Sequence, residues 1–194
     1  MRSGSRWWAA TMLVEAAKSS LLLVDMQERL LPAMSGGDRA EAHCAILLKA
    51  AQALAVPVTV SEQYPRGLGP TVPGLKQGLG DAPVFAKLSF SCWRDAAIKD
   101  RLIDLHEAGR PLVILVGIEA HVCVMQTAAD LSAAGFGVFA VADAMASRAP
   151  ASHALALERM RQDGVAVINT EMAVFELLGR AGTPEFKALS ALVR

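Results

Sequence analysis

Six short apolar runs, separated by segments long enough to form helices, constrain the fold of this chain more than any other feature. Runs of this length without polar alternation are typical of strands buried on both faces, as in a parallel sheet covered by helices. The sequence therefore predicts a three-layer α/β fold with a doubly wound parallel sheet of six strands. The runs are Leu21–Val24, Val56–Val60, Pro83–Ala86, Leu112–Val116, Gly137–Val141 and Val165–Ile168.

The segments between the runs carry signals for helix starts. Asp38 and Glu41 have the spacing of a capping box ahead of a helix that reaches Leu54. Thr170 and Thr183 are expected to cap two further helices near the C-terminus.

Composition limits the partners and the cellular location. The chain has 194 residues, 53% of them hydrophobic, which fits one domain with a large core. Nineteen basic residues balance nineteen acidic ones, which argues against a nucleic-acid or membrane-surface partner. No apolar run reaches the length of a membrane span. Three widely spaced cysteines are typical of reduced thiols, so we expect a cytoplasmic protein. We also expect an N-terminal extension, residues 1–18, before a domain of residues 19–194.

Polar residues follow the apolar runs, at the positions where parallel strands would end. Ligand sites of open parallel sheets lie beyond these carboxyl ends, and right-handed crossovers bring the ends to one edge of the sheet. We therefore expect Asp25, Lys87 and Cys123 to meet there, although they lie far apart in the sequence. The full set is Asp25, Glu62, Lys87, the turn that leads to Cys123, Asp143 and Asn169.

Cys123 is the strongest candidate for a reactive group. It follows a buried run and the turn Gly117-Ile-Glu-Ala-His-Val122, and a helical pattern begins directly after it. The free N–H groups and the positive dipole end of a helix favour a thiolate over a thiol. The sequence therefore predicts an activated nucleophile at the start of a helix.

The three converging residues form a chemically complete set. Asp25 could accept the thiol proton and return it to a leaving group, while Lys87 could hold Asp25 and stabilise the thiolate. Backbone N–H groups in the turn before Cys123 could bind an oxyanion, so the implied reaction is acyl transfer to water through a thioester. Taken singly, an aspartate after a strand is often a helix cap, and a lone lysine is usually solvated.

Three segments resemble the signature blocks of the isochorismatase-like cysteine hydrolases. The likeness extends from Ser19 onward, and Ser61-Glu-Gln-Tyr-Pro-Arg-Gly-Leu-Gly-Pro-Thr-Val-Pro73 brings the chain nearest to the isochorismatase-domain-containing subgroup. The segments are Leu21-Leu-Leu-Val-Asp25-Met-Gln27, Ala86-Lys87-Leu-Ser-Phe90-Ser and Val116-Gly-Ile-Glu-Ala-His-Val-Cys123-Val.

This resemblance implies a fold, an assembly and roles for individual residues. The fold would be isochorismatase-like, which is Rossmann-like, and the chains would form homo-oligomers, as dimers or larger assemblies. Asp25, Lys87 and Cys123 would be the catalytic triad. A cis peptide between Ile118 and Glu119 would turn the backbone N–H groups of Glu119 and Cys123 toward the oxyanion.

Departures from related families narrow the function. Nicotinamidases of the same superfamily carry an aspartate and two histidines as metal ligands after the second strand. Here that region reads Ser61-Glu-Gln-Tyr-Pro65, and no histidine lies between Ser61 and Phe90. We therefore expect no metal, no other cofactor and no nicotinamidase activity. Many members have a threonine where this chain has Ala120, and His121 is expected to pack or cap locally.

The remaining expectations concern the pocket and the reaction. We expect Gln27, Tyr64, Phe90 and Trp93 to form the substrate wall, and Cys44 and Cys92 to be structural thiols. The resulting hypothesis is a metal-independent cysteine hydrolase that cleaves a non-peptide carbon–nitrogen bond in a small amide or related acyl compound. The alternative is a thiol redox sensor or a non-catalytic binding protein on the same fold.

Overall fold

A parallel sheet of six strands organises the chain, and the computed structural model describes residues 13–193. The strand order is β3-β2-β1-β4-β5-β6, and each neighbouring pair is parallel. Each of the six apolar runs lies in or overlaps a strand, so the predicted α/β fold is confirmed. The strands are β1 (Ser19–Val24), β2 (Val58–Gln63), β3 (Val84–Lys87), β4 (Leu112–Ile118), β5 (Gly137–Ala146) and β6 (Ala166–Ile168).

Helices cover both faces of the sheet. One face packs against α1, α3, α7 and α8, and the other packs against α4, α5 and α6. The helices are α1 (Gly37–Ala53), α2 (Pro65–Leu68), α3 (Pro73–Leu79), α4 (Ala96–Glu107), α5 (Met125–Ala133), α6 (Pro150–Gln162), α7 (Thr170–Leu178) and α8 (Pro184–Ser190). A π-helical turn, Ala120–Val124, precedes α5, and short 3₁₀ turns span Ala16–Lys18, Leu31–Ala33 and Cys92–Arg94.

Strand β1 shows how the apolar runs build two cores at once. Successive side chains of a strand point to opposite faces, so Leu21 and Leu23 join the core on one side, while Leu22 and Val24 join the core on the other. All six residues of β1 are buried. A strand of this kind lacks polar alternation because neither of its faces meets water.

Two of the predicted helix caps are wrong by a small shift in position. Helix α1 begins after Gly36, which has a φ of 75°, and Asp38 lies inside its first turn with no capping hydrogen bond. Helix α7 is capped by Asn169, whose side chain accepts a hydrogen bond from the Met172 N–H at 2.8 Å. Thr183 caps α8 as predicted, since its hydroxyl accepts a hydrogen bond from the Phe186 N–H at 3.0 Å.

The predicted N-terminal extension lies mostly outside the described residues. Residues 13–18 precede β1 and include one 3₁₀ turn, and Ser19 begins β1 at the expected domain boundary. Within residues 13–193, we find no helix both long and apolar enough to cross a membrane.

The close approach of β4 to β1 depends on a glycine. Gly117 has a φ of 111°, and a Cβ atom at this position would overlap the backbone of Val24 in the neighbouring strand. Any other residue would therefore push apart the ends of β1 and β4, where Asp25 and the turn to Cys123 begin.

Gly117→Ala should lower the free energy of unfolding by about 3–5 kcal/mol, because it combines a steric overlap with an unfavourable backbone conformation. Gly135→Ala is the matched control: Gly135 also has a positive φ, 95°, but a Cβ atom there would meet nothing within 4 Å. We expect the control to cost only about 1–2 kcal/mol. Equal losses for the two variants in chemical denaturation would contradict the proposed close approach.

Candidate active site

The strand order places the candidate site at the centre of the sheet edge. The chain winds outward from β1 to β2 and β3, and then returns to the other side of β1 to form β4. Ligands of such sheets bind at the point where the order reverses, outside the carboxyl ends of the two central strands. Asp25 directly follows β1, and Cys123 lies in the π-helical turn shortly after β4.

A buried ion pair links Asp25 to Lys87. The Lys87 Nζ atom lies 2.7 Å from Asp25 Oδ2, and both side chains are fully buried. Lys87 ends β3, so its side chain crosses the end of β2 to reach Asp25. The ammonium group also donates to the carbonyls of Ser89 (3.2 Å) and Phe90 (3.1 Å), and to Gln63 Oε1 (2.7 Å).

These contacts keep Lys87 charged. Burial lowers the pKa of Lys87, but the negative charge of Asp25 and a hydrogen bond to it raise that pKa, and the net shift is upward. The prediction that Lys87 would hold Asp25 agrees with this geometry, whereas a solvated lysine does not.

Asp25 is held on its other oxygen by β2. The hydroxyl of Ser61 donates to Asp25 Oδ1 at 2.7 Å, and the backbone N–H of Asp25 donates to the Ser61 carbonyl at 3.0 Å. Asp25 itself has a φ of 51°, in the left-handed region that non-glycine residues seldom adopt. Strained conformations of this kind persist where the surroundings fix them, and they occur often at functional sites.

The Cys123 thiol differs from the expected thiolate. Burial raises the pKa of Cys123 above its ordinary value, the charge of Asp25 and a hydrogen bond to it raise that pKa further, and the charge of Lys87 opposes these effects. Burial and the charge of Asp25 therefore favour the protonated thiol, whereas the start of a helix and the charge of Lys87 favour the thiolate.

The turn between β4 and Cys123 is braced by the segment after β5. The peptide bond between Ile118 and Glu119 is cis. The buried side chain of Glu119 accepts a hydrogen bond from Arg148 at 2.7 Å. The ring of His121 bonds to the Ser147 hydroxyl at 3.0 Å, which agrees with the local role expected for this histidine.

Of the four residues expected to form the substrate wall, Tyr64 lines a cavity near the ion pair. This cavity has a volume of about 520 Å³, and its lining includes Lys87, Leu88 and Arg94. Phe90 is 55% exposed and contributes its carbonyl to Lys87, but it is not part of the lining.

Gln27 and Trp93 need correction as wall residues. Gln27 is fully buried, and its amide bonds to the backbone N–H and carbonyl of Gln63 and to the carbonyl of Gly69. Trp93 packs edge-on against Phe136, with ring centroids 5.4 Å apart, and its partly buried side chain lies against the core on this side of the sheet. Residue type suits both side chains to a pocket wall, but the sequence does not give the direction in which a side chain points.

The two other cysteines have structural surroundings. Cys44 is buried in α1 and donates to the Ala144 carbonyl at 3.4 Å. Burial raises the pKa of Cys92 to about 11, and its thiol donates to the Ser61 hydroxyl at 3.4 Å. Both thiols hydrogen-bond to neutral groups of the interior, which agrees with the structural role expected for them.

Sequence reasoning missed Ser61 and Gln63, and it chose their neighbour Glu62 instead. Glu62 points away, and its carboxylate accepts hydrogen bonds from the backbone and hydroxyl of Thr71. The two-residue periodicity of strands was the available signal, because it places Thr59, Ser61 and Gln63 on one face of β2.

Metal-ligating residues do not cluster in the described part of the chain. Among residues 13–193, no group of three or more His, Cys, Asp or Glu side chains is arranged so that it could hold an ion. Where nicotinamidases carry metal ligands, Glu62 bonds to Thr71 and Gln63 bonds to Lys87.

Comparison with known proteins identifies the family. The model of the Isochorismatase domain matches residues 19–172. The chain belongs to the isochorismatase family. The secreted isochorismatase effector Isc1 of Phytophthora sojae is 41% identical over 151 residues, which are 76% of this chain and 71% of that protein. Isochorismatase domain-containing protein 2 of Danio rerio is 40% identical over 176 residues, 90% of this chain and 86% of that one. The predicted resemblance is thus confirmed.

Solved structures of the isochorismatase-like fold superpose closely on this chain. The MAR1 ribonuclease of Caenorhabditis elegans gives a TM-score of 0.87 at 36% identity, covering 94% of this chain and 92% of that one. The YcaC gene product of Escherichia coli, described as an octameric hydrolase of unknown specificity, gives a TM-score of 0.86 at 24% identity, covering 94% and 91%. Membership in the family supports a hydrolase.

The buried ion pair predicts an asymmetric response to substitution. Lys87→Met should lower the free energy of unfolding by about 3–5 kcal/mol, because it leaves the Asp25 carboxylate buried without a counter-charge. The double variant Asp25→Asn/Lys87→Met should recover part of this loss. Chemical denaturation of the three proteins measures both effects.

Arg94→Met provides the control for loss of a positive charge. Arg94 pairs with Asp130 at 2.8 Å, but its side chain is 66% exposed, so its removal should change stability little. The buried pair would be refuted if Lys87→Met were as stable as this control.

Proposed function

We propose that this protein is a metal-independent cysteine hydrolase that cleaves the carbon–nitrogen bond of a small amide or related acyl compound. One observation carries the proposal: the Asp25 carboxylate is paired with the Lys87 ammonium at 2.7 Å, and it lies close enough to Cys123 for its charge to raise the pKa of that thiol. A nucleophile beside a base, with the base held by a third group, is the arrangement that covalent hydrolysis needs.

The first half-reaction forms a thioester. The sulfur of Cys123 attacks the carbonyl carbon of the substrate while its proton passes to Asp25. The oxyanion accepts hydrogen bonds from the backbone N–H groups of Glu119 and Cys123, each worth about 3–4 kcal/mol in known cases. Asp25 then gives the proton to the departing amine, and the carbon–nitrogen bond breaks.

The second half-reaction restores the enzyme. Asp25, again a carboxylate, takes a proton from water as the water oxygen attacks the thioester carbon. The carbon–sulfur bond breaks, the acid product leaves, and the sulfur regains its proton from Asp25. Lys87 stays an ammonium throughout, because its raised pKa favours the charged form, and it balances the charge on Asp25.

Metal independence rests on the hydrogen bonds that Glu62 and Gln63 already make at the end of β2. An ion in the place used by nicotinamidases would need Glu62 or Gln63 to leave Thr71 or Lys87, and the loss of the Gln63 contact would disturb the ion pair.

The surroundings of Cys123 weigh against the redox-sensor alternative. Oxidation of cysteine follows thiolate character and exposure, whereas burial and Asp25 raise the pKa of Cys123 and only 5% of the residue is exposed. A carboxylate near the thiol can take its proton during catalysis, but its negative charge makes the thiolate that a redox sensor needs less stable.

The names of the relatives add two substrates to any assay. One relative is named an isochorismatase and another a ribonuclease. The equal numbers of basic and acidic residues, nineteen of each, favour a small molecule over RNA, because the binding of nucleic acid relies on an excess of positive charge.

We also propose a cytoplasmic location on the basis of three free thiols, and secretion like that of Isc1 would contradict it.

Hydrolysis should depend on Cys123. We expect the protein to release amine from at least one member of a panel of small amides, ureides and carbamoyl compounds, and Cys123→Ala to abolish this release. Mass spectrometry should find an acyl adduct on Cys123 after rapid quenching. Cys44→Ala is the matched control and should remain active, since Cys44 lies in the core of α1.

Three outcomes would contradict this proposal. They are full activity of Cys123→Ala, loss of activity on incubation with EDTA, and turnover of isochorismate or RNA without any turnover of the panel.

We further propose that the chain forms a homo-oligomer. Apolar side chains are exposed close to the cavity, among them Leu88 (75% exposed) and Tyr64 (52%), and such patches usually mark contact surfaces. The related fold of the E. coli protein occurs in an octamer. Light scattering on the purified protein should give a mass of at least two chains, and a monomer at all accessible concentrations would refute this.

A further inference from the structure

Strand β2 presents two neutral side chains to the ion pair, one to each partner. The Ser61 hydroxyl donates to Asp25 Oδ1 at 2.7 Å, and Gln63 Oε1 accepts from the Lys87 ammonium at 2.7 Å. The two residues alternate along the strand and therefore share one face. Their position follows from the strand order, because β2 lies between β1, which leads to Asp25, and β3, which ends at Lys87.

The amide of Gln63 is itself held in place. Its Nε2 atom donates to the Leu88 carbonyl at 2.9 Å. Its backbone N–H donates to Gln27 Oε1 at 2.7 Å, and its backbone carbonyl accepts from Gln27 Nε2 at 3.0 Å. A side chain fixed at both its base and its tip cannot follow Lys87 if the lysine moves. Gln63 therefore sets the position of the ammonium group.

The contact with Ser61 restricts Asp25 in a complementary way. A carboxylate has about four lone-pair positions on its two oxygens. Ser61 uses one on Oδ1 and Lys87 uses one on Oδ2, which fixes the rotation of the carboxylate. The thiol of Cys123 then meets an acceptor with a defined direction.

We propose that Ser61 and Gln63 are positioning residues, which fix Asp25 and Lys87 so that Asp25 can take the proton of Cys123. This inference rests on the proposed function and adds two residues to it. Ser61 and Gln63 keep their own protons, and the proton travels only between the Cys123 sulfur and Asp25.

Alkylation by iodoacetamide tests the inference without knowledge of the substrate. The Cys123 sulfur attacks the methylene carbon, a carbon–sulfur bond forms, iodide leaves, and the thiol proton passes to Asp25. At about pH 7 the rate therefore depends on the placement of Asp25, because only a deprotonated sulfur reacts. Mass spectrometry of the Cys123 peptide gives the rate, and labelling of the buried Cys44 and Cys92 reports any loss of fold.

Ser61→Ala and Gln63→Met should each slow alkylation of Cys123 by about 10- to 100-fold, the effect of a misplaced catalytic group. Thr59→Val is the matched control. Thr59 is a buried residue on the same face of β2, and its hydroxyl has no hydrogen-bond partner among residues 13–193, so its removal should leave the rate within about twofold of the wild type.

Conservative variants separate positioning from packing. Ser61→Thr keeps the hydroxyl and should restore the rate to within about threefold of the wild type. Gln63→Glu keeps the acceptor for Lys87 but loses the donor to the Leu88 carbonyl, so its rate should lie between those of Gln63→Met and the wild type. A role in packing alone would leave Ser61→Thr as impaired as Ser61→Ala. Ser61 is fully buried, so a threonine that disturbs the fold would expose Cys44 to the reagent. In that case the comparison of Gln63→Met with Gln63→Glu decides the question, because Gln63 is only half-buried.

The two proposals fail in different ways. Preferential labelling of Cys123 in the wild type, with rates for Ser61→Ala and Gln63→Met equal to that of Thr59→Val, would overturn this inference alone. A wild-type protein in which Cys123 reacts no faster than Cys44 and Cys92 would overturn the proposed function, and this inference with it.

Discussion

The buried ion pair between Asp25 and Lys87 is the interaction on which the rest of the site depends. Its two side chains lie 2.7 Å apart and are fully buried, so the loss of either one would leave a charge without a partner in the interior. A base that stays available in a dry site is what a protonated thiol requires in order to become a nucleophile.

The pKa of Cys123 determines how such a site can work. Many cysteine enzymes hold a thiolate at rest, stabilised by a neighbouring positive charge. Here burial and the Asp25 carboxylate raise the pKa of Cys123. In the proposed reaction, deprotonation of the sulfur therefore accompanies its attack on the substrate, and a protonated sulfur is less open to oxidation.

Much of the fold could be predicted from the sequence, because strands buried on both faces leave continuous apolar runs. Convergence of Asp25, Lys87 and Cys123 at one edge also followed from the rule for parallel sheets. The order of the strands did not follow, and it is this order that places Ser61 and Gln63 between Asp25 and Lys87. Neutral polar residues at the end of a strand carry no motif, so they become visible only when the neighbours of the strand are known.

Absorbance of the thiolate in the ultraviolet tests the central claim most directly. The difference spectrum between the wild type and Cys123→Ser isolates the contribution of this one sulfur. We predict no thiolate band at neutral pH, because burial and the neighbouring Asp25 raise the pKa of Cys123. A full thiolate band at neutral pH would contradict this, and it would mean that Lys87 stabilises the sulfur anion while Asp25 plays no part as the base.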